Sequence, residues 1–157
     1  MTIKLKAKDF KKSNSYYLDY IGKKDVSDYN GNIEIEWGLG YVRFNSLKAS
    51  GYICAKAGSG IKAGSGIEAG DGIEAGLGIE AGKGIKAGLG IKAGSGIISG
   101  LSISCKLSLS ANLRIFSGVC CYRKLTNDTE KTITCGKLEK GEVAYGILNE
   151  IGLKNIK

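Results

Sequence analysis

The chain has 157 residues, with 43% hydrophobic and 24% charged content, 25 glycines, no histidine, no proline and a net charge of +8. That length is one ordinary domain, and the pattern is too regular for a linker. No apolar stretch approaches the ~20 residues that span a bilayer, and no basic start leads into an apolar run and a small-residue cleavage site, so a soluble cytoplasmic protein without membrane contact is expected.

Residues 1 to 34 carry no repeat and read as a basic, aromatic N-terminal cap. They open with KLKAKDFKK and continue to Tyr16, Tyr17 and Tyr20. Ile3 to Ala7 has the alternation of a strand, while Tyr16 to Ile21 fits a helix or a strand equally well. From Ile35 a step of six runs through Tyr41, Leu47 and Ile53. The next interval, to Ile61, is eight, which places two inserted residues near Lys56.

From Ile61 the units are IKAGSG, IEAGDG, IEAGLG, IEAGKG, IKAGLG and IKAGSG, with a predicted core of Ile61, Ile67, Ile73, Ile79, Ile85, Ile91, Ile97 and Ile103. A period of six is a multiple of two and not of 3.6, so these residues keep one side of an extended chain but wander around a helix. Each unit reads as a strand, Ile-x-Ala, and a Gly-x-Gly corner whose glycines are expected to adopt backbone angles closed to other residues. The outward residues are Lys62, Glu68, Glu74, Glu80, Lys86 and Lys92. Three units per coil stack Lys62 with Glu80, Glu68 with Lys86 and Glu74 with Lys92, all opposite in sign; one or two units per coil stack glutamate on glutamate. The expected fold is therefore all-β, a three-sided parallel β-solenoid with about 18 residues per coil.

The pattern persists in degraded form at Leu109 and Ile115, so the solenoid is placed at residues 35 to 118, four to five coils long. Residues 119 to 157 read as a β-rich C-terminal cap with strands at Val119 to Leu125, Thr132 to Leu138 and Val143 to Leu148, and turns at Asn127-Asp128 and Lys140-Gly141. Caps are needed because an uncovered terminal coil exposes an open strand edge.

The middle of the chain resembles the hexapeptide-repeat, left-handed parallel β-helix proteins over about half its length. Their pattern is an aliphatic residue, a small one, two free positions, another small one and a free position; here the second position is Lys or Glu and the small residues fall third, fourth and sixth. Many such proteins are acyltransferases that use a histidine as general base, and this chain has none. The carboxylates of Glu68, Glu74 and Glu80 already have lysine partners in the ladder. Cys54, Cys105, Cys120, Cys121 and Cys135 include no Cys-x-x-Cys pair, so reduced thiols are expected and neither a metal nor a cofactor is implied. Adjacent Cys120 and Cys121 point to opposite faces of an extended chain and lack an activating base. The glycines recur with the period and do not form a phosphate loop.

With catalysis and a small-molecule substrate set aside, the charge directs the functional reading. The perfect repeat, residues 61 to 96, is neutral with four basic and four acidic residues, and the excess lies in the flanks. Lys4, Lys6, Lys8, Lys11, Lys12, Tyr16, Tyr17 and Tyr20 are the candidate binding residues, for an acidic protein or a ribonucleoprotein or other nucleic-acid complex. In size and charge the chain resembles small phage or mobile-element anti-defence inhibitors such as anti-CRISPR proteins. The competing expectation is a homo-oligomer, a scaffold or cytoskeletal polymer assembled through the coils.

Overall fold

Each Ile-x-Ala tripeptide from Ile67 to Ala93 forms a three-residue strand with its first and third side chains buried and the middle one outward. Gly-x-Gly then carries the chain to the next face. The structure, a computed structural model describing residues 1–153, is a parallel β-solenoid of about six turns, and its described residues contain no α-helix.

Three faces wind around one interior. The first stacks Thr2–Leu5, Asn32–Ile35, Ile53–Ala55, Ile73–Ala75, Ile91–Ala93 and the start of the long strand Ser108–Ser117. The second stacks Tyr17–Tyr20, Gly40–Phe44, Ser59–Ala63, Ile79–Ala81, Ile97–Ser99 and the end of Ser108–Ser117. The third runs from Leu47–Ala49 through Ile67–Ala69, Ile85–Ala87, Ile103–Cys105 and Thr132–Cys135 to Ile147–Glu150. The strand Lys137–Tyr145 follows Ser108–Ser117 around the corner it shares between the first two faces. Parallel stacking thus begins at Thr2 and ends at Glu150, beyond the 35 to 118 limits of the repeat; residues 154 to 157 of the C-terminal segment lie outside the described residues.

In the perfect repeat Ile73 pairs with Ile91, Ile79 with Ile97 and Ile85 with Ile103, steps of 18 residues that give three units per coil. The eight predicted core isoleucines are at most 2% exposed. All three charge pairs form: Lys62 to Glu80 at 2.8 Å, Glu68 to Lys86 at 4.0 Å and Glu74 to Lys92 at 3.3 Å. The inserted residues near Lys56 appear as a longer step, Ile53 pairing with Ile73, and make a wide corner. That corner stacks on Trp37–Gly40 of the preceding coil, where the Gly38 and Gly40 N–H groups donate to Ala57 and Gly58 carbonyls, each at 2.9 Å. The buried Ser59 hydroxyl holds both together, donating to the Glu36 carbonyl at 2.6 Å and accepting from the Leu39 N–H at 3.0 Å.

The structure corrects the upstream phase. Ile33, not Ile35, pairs with Ile53, and Ile35 occupies the alanine column opposite Ala55. Val42, fully buried, continues the column above Ile61, whereas Tyr41 is half-buried beside it. The wider first coils have more interior to fill, so Ile35 and Phe44 stand where the repeat has alanine, and Phe10 and Tyr20 pack on Phe44 at ring distances of 5.9 and 5.4 Å to seal that end. Tyr17–Tyr20 is a strand, paired antiparallel with Phe10–Lys12.

The role of the repeat glycines also differs from the expectation. Glycines with positive φ are Gly31, Gly38, Gly40, Gly58, Gly118, Gly141, Gly146 and Gly152, none of them in the perfect repeat. There, from Gly70 onward, the glycine after the alanine is required by proximity: a Cβ on Gly82, Gly88 or Gly94 would collide with the carbonyl oxygen of Gly64, Gly70 or Gly76 one coil earlier.

Downstream, the strand expected at Val119 to Leu125 is a loop, because the chain leaves the corner at Gly118, φ 85°, and makes a long excursion before rejoining the third face at Thr132. Asn127 caps the short 3-10 turn Asp128–Lys131 by accepting from the Thr129 N–H at 3.0 Å, and the Arg123 guanidinium clamps Glu130. Lys140-Gly141 is an irregularity inside the strand Lys137–Tyr145, not a turn, with Gly141 at φ 115°.

Two stability experiments follow from this packing. Lys62→Glu and Glu80→Lys, each alone, place like charges on adjacent strands, and the double exchange restores the pair; a double-mutant cycle in urea should give a coupling of ~0.2–1 kcal/mol. Zero coupling would remove the ladder from the stabilising interactions. Gly88→Ala should cost about 1–3 kcal/mol, the cost of overpacking. Gly72→Ala, whose added Cβ would lie 3.4 Å from the Gly90 oxygen, should stay within about 0.5 kcal/mol. Equal costs would show that coil proximity does not select the glycine.

Candidate docking site

The first coil brings the basic segment to one end of the solenoid. Lys4 stands outward on Thr2–Leu5, beside Glu34. Lys6 and Lys8 flank the 3-10 turn Ala7–Asp9, and Lys11 and Lys12 lie on Phe10–Lys12. All five are exposed, as are Lys23 and Lys24 in the loop that follows. Lys4, Lys8, Lys23 and Lys24 line a groove of about 500 Å³ with Asp9 and Tyr20.

The carboxylates of the same region have other partners. Asp9 accepts from the Lys6 backbone N–H at 2.8 Å, and Glu36 accepts from the Ala7 N–H at 3.0 Å. Asp25 accepts from both the N–H and the hydroxyl of Ser27, which hold its carboxyl below the usual range. Asp19 is bound by Arg43 at 2.6 Å, and that hydrogen bond likewise depresses its pKa. Asp28 pairs with Lys48 at 3.1 Å. Glu34 takes a 2.7 Å hydrogen bond from the Tyr52 hydroxyl, the main cause of its lowered pKa, and lies 3.6 Å from Lys56. Three of these six acids are thus matched with bases from later coils. None of the seven lysines of residues 1 to 34 forms an ion pair among the described residues.

The three tyrosines separate in the structure. Tyr20 is half-buried in the aromatic seal and donates its hydroxyl to the Lys24 carbonyl at 3.0 Å; burial raises its pKa. Tyr17 lies under the Lys62 ammonium at 4.7 Å and the Arg43 guanidinium at 5.6 Å from the ring centroid, so its face is occupied. Tyr16 is 80% exposed. Sequence reasoning missed Lys23, Lys24 and above all Trp37, the one tryptophan, which is 71% exposed on the wide corner. The signal available for Trp37 was its place directly before Gly38-Leu39-Gly40, a Gly-x-Gly corner in the sequence EWGLG.

Two other regions contrast with this end. On the second face the outward column changes from Lys62 and Glu80 to Ile98, Phe116 and Tyr145, an apolar ridge beside the 63%-exposed Leu113. The thiols divide by environment. Burial pushes Cys105 up to about 12 and Cys135 up to about 11, and it raises Cys54. Desolvation also works against the Cys120 thiolate, but the Arg123 and Tyr122 backbone N–H groups outweigh it and hold that thiol below its ordinary value. Among the described residues, no group of three or more His, Cys, Asp or Glu side chains converges on a point where a metal ion would sit.

Comparison with family models, with curated proteins and with solved structures returned no match to this chain.

Thiol labelling at neutral pH should modify Cys120 and the exposed Cys121 first, Cys54 slowly, and Cys105 and Cys135 only after unfolding. Rapid native-state labelling of Cys105, read by peptide mass, would contradict its place in the interior column.

Proposed function

We propose that the protein is a non-catalytic docking module that grips a polyanionic macromolecular surface with its lysine-rich first coil and uses the stiff solenoid behind it as a spacer or obstruction. The observation that carries this reading is the unequal treatment of charge: the acids of residues 1 to 36 are bound within the fold, while the seven lysines face solvent without ion pairs. An inhibitor that blocks an acidic protein or a nucleic-acid complex, as anti-defence proteins of phages and mobile elements do, is a function of this kind.

The second reading, self-assembly, is favoured by the outer edges of Lys137–Tyr145 and Ile147–Glu150, which are unpaired among the described residues, and by Ile147 and Leu148 at 40% and 37% exposure. Against it stand the charges and irregular register of Lys137–Tyr145, devices that blunt edge pairing. Mass in solution measured against concentration separates a monomer from a polymer.

The docking reading is tested by charge reversal in place of truncation, since deleting residues 1 to 12 would remove the strand Thr2–Leu5 and Phe10 from the core. Lys8→Glu, Lys23→Glu and Lys24→Glu combined should abolish recovery of the partner from host lysate while leaving the unfolding midpoint unchanged, and wild-type recovery should fall steeply with salt. Recovery indifferent to both would move the site off the first coil.

A further inference from the structure

We infer that the wide corner carrying Trp37 is a base-stacking platform for single-stranded nucleic acid, with the lysines of the first coil supplying phosphate contacts; this rests on the docking function proposed above and names its ligand. The corner is built to protrude. Its glycines, Gly38 and Gly40, have positive φ, and a Cβ on either would meet nothing within 4 Å. Trp37 is 71% exposed and has no aromatic partner, unlike Phe10, Tyr20 and Phe44, which pack on one another, or Tyr17, which is covered by Lys62 and Arg43.

Its neighbours carry both signs of charge. The Glu36 N–H donates to the Leu5 carbonyl at 2.9 Å and the Lys56 N–H to the Ile35 carbonyl at 3.1 Å, so in the stacked coils the corner lies between Lys6 on one side and Lys56 on the other. Lys56 also pairs with Glu34 at 3.6 Å, and the Glu36 carboxylate, the nearest acid in sequence, accepts from the Ala7 N–H, so Lys6 and the groove lysines are the cations left for phosphate. Single strands are held by this combination: an open aromatic face that any base can stack on, and flexible point charges that follow the backbone without reading sequence. An acidic protein surface would use the lysines but gives no role to an open indole at the rim of the charge, and a duplex hides its base faces.

Because Trp37 is the only tryptophan, fluorescence excited selectively in the indole reports this site alone, and the affinities of the Trp37 variants are read from the anisotropy of a labelled oligonucleotide. The wild-type protein is titrated with a single-stranded oligothymidylate, with a duplex of equal length, and with polyglutamate of similar charge, at low and moderate salt. The expected result is quenching of Trp37 by the single strand, weaker binding of the duplex without quenching, and about tenfold or greater loss of single-strand affinity in Trp37→Ala with most of it retained in Trp37→Phe. Single-strand binding without quenching, or undiminished in Trp37→Ala, overturns the stacking site and leaves the lysine-based docking in place. Polyglutamate binding tighter than the single strand overturns the choice of ligand in favour of an acidic protein. Failure of every polyanion to bind the wild type overturns both this inference and the docking function under it.

Discussion

Successive coils of this solenoid are hydrogen-bonded along corners as well as strands. Gly82, Gly88 and Gly94 donate to Ala63, Ala69 and Ala75, and Lys83, Leu89 and Ser95 donate to Ser65, Asp71 and Leu77, at 2.9–3.1 Å. Pairing the corners at strand spacing leaves no room for a Cβ where one coil turns over the last. The glycine column is the steric result, and the isoleucine column is its counterpart inside, since stacked aliphatic chains fill an interior whose width is fixed by three short strands. The hydrogen-bond distance between coils thus constrains both the residues that line the interior and those that turn its corners.

The same constraint explains why chemistry gathers at the ends. Where coils stack at fixed distance, outward side chains must tolerate a neighbour from the coil on each side, and the perfect repeat meets that condition with alternating Lys and Glu. Such a wall is neutral and uniform. Only in the first coils, where steps of nine residues (Ile33 to Val42) and eight (Ile53 to Ile61) open wide corners, is there room for an aromatic seal of Phe10, Tyr20 and Phe44, for a buried Ser59 that ties two corners, and for Trp37 to stand clear of the body. On the opposite end the ladder gives way to the ridge of Ile98, Phe116 and Tyr145.

What the sequence revealed and what it hid divide along the same line. The three-unit coil was legible because the register of opposite charges at Lys62, Glu74 and Glu80 has one consistent solution, and side-chain alternation fixes which residues face inward. The phase upstream was not, because Ile33, Ile35, Tyr41 and Val42 offer two inward-outward assignments, and only the larger interior decides for Ile33 and Val42. Val119 to Leu125 has the composition of a strand but lies where the chain must travel from one face to another. The lysines of the first segment were visible as charge; Asp9 and Asp25 are bound locally, by Lys6 and Ser27, but the binding of Asp19, Asp28 and Glu34 depends on Arg43, Lys48 and Tyr52, far along the chain, and no local pattern announces it.

The repeat count carries geometric information as well. Each unit rotates the path by one face, and three units restore the starting direction one strand spacing, ~4.8 Å, further along the axis. Removal or gain of eighteen residues within Ile61 to Gly96 therefore changes the distance between the cationic end and the apolar ridge while preserving the angle between them. Removal of six or twelve swings one end a third or two thirds of a turn about the axis relative to the other and misaligns the charges. A lineage of such proteins can adjust reach in steps of one coil and aim in steps of one face, and the two adjustments are separable in the chain itself.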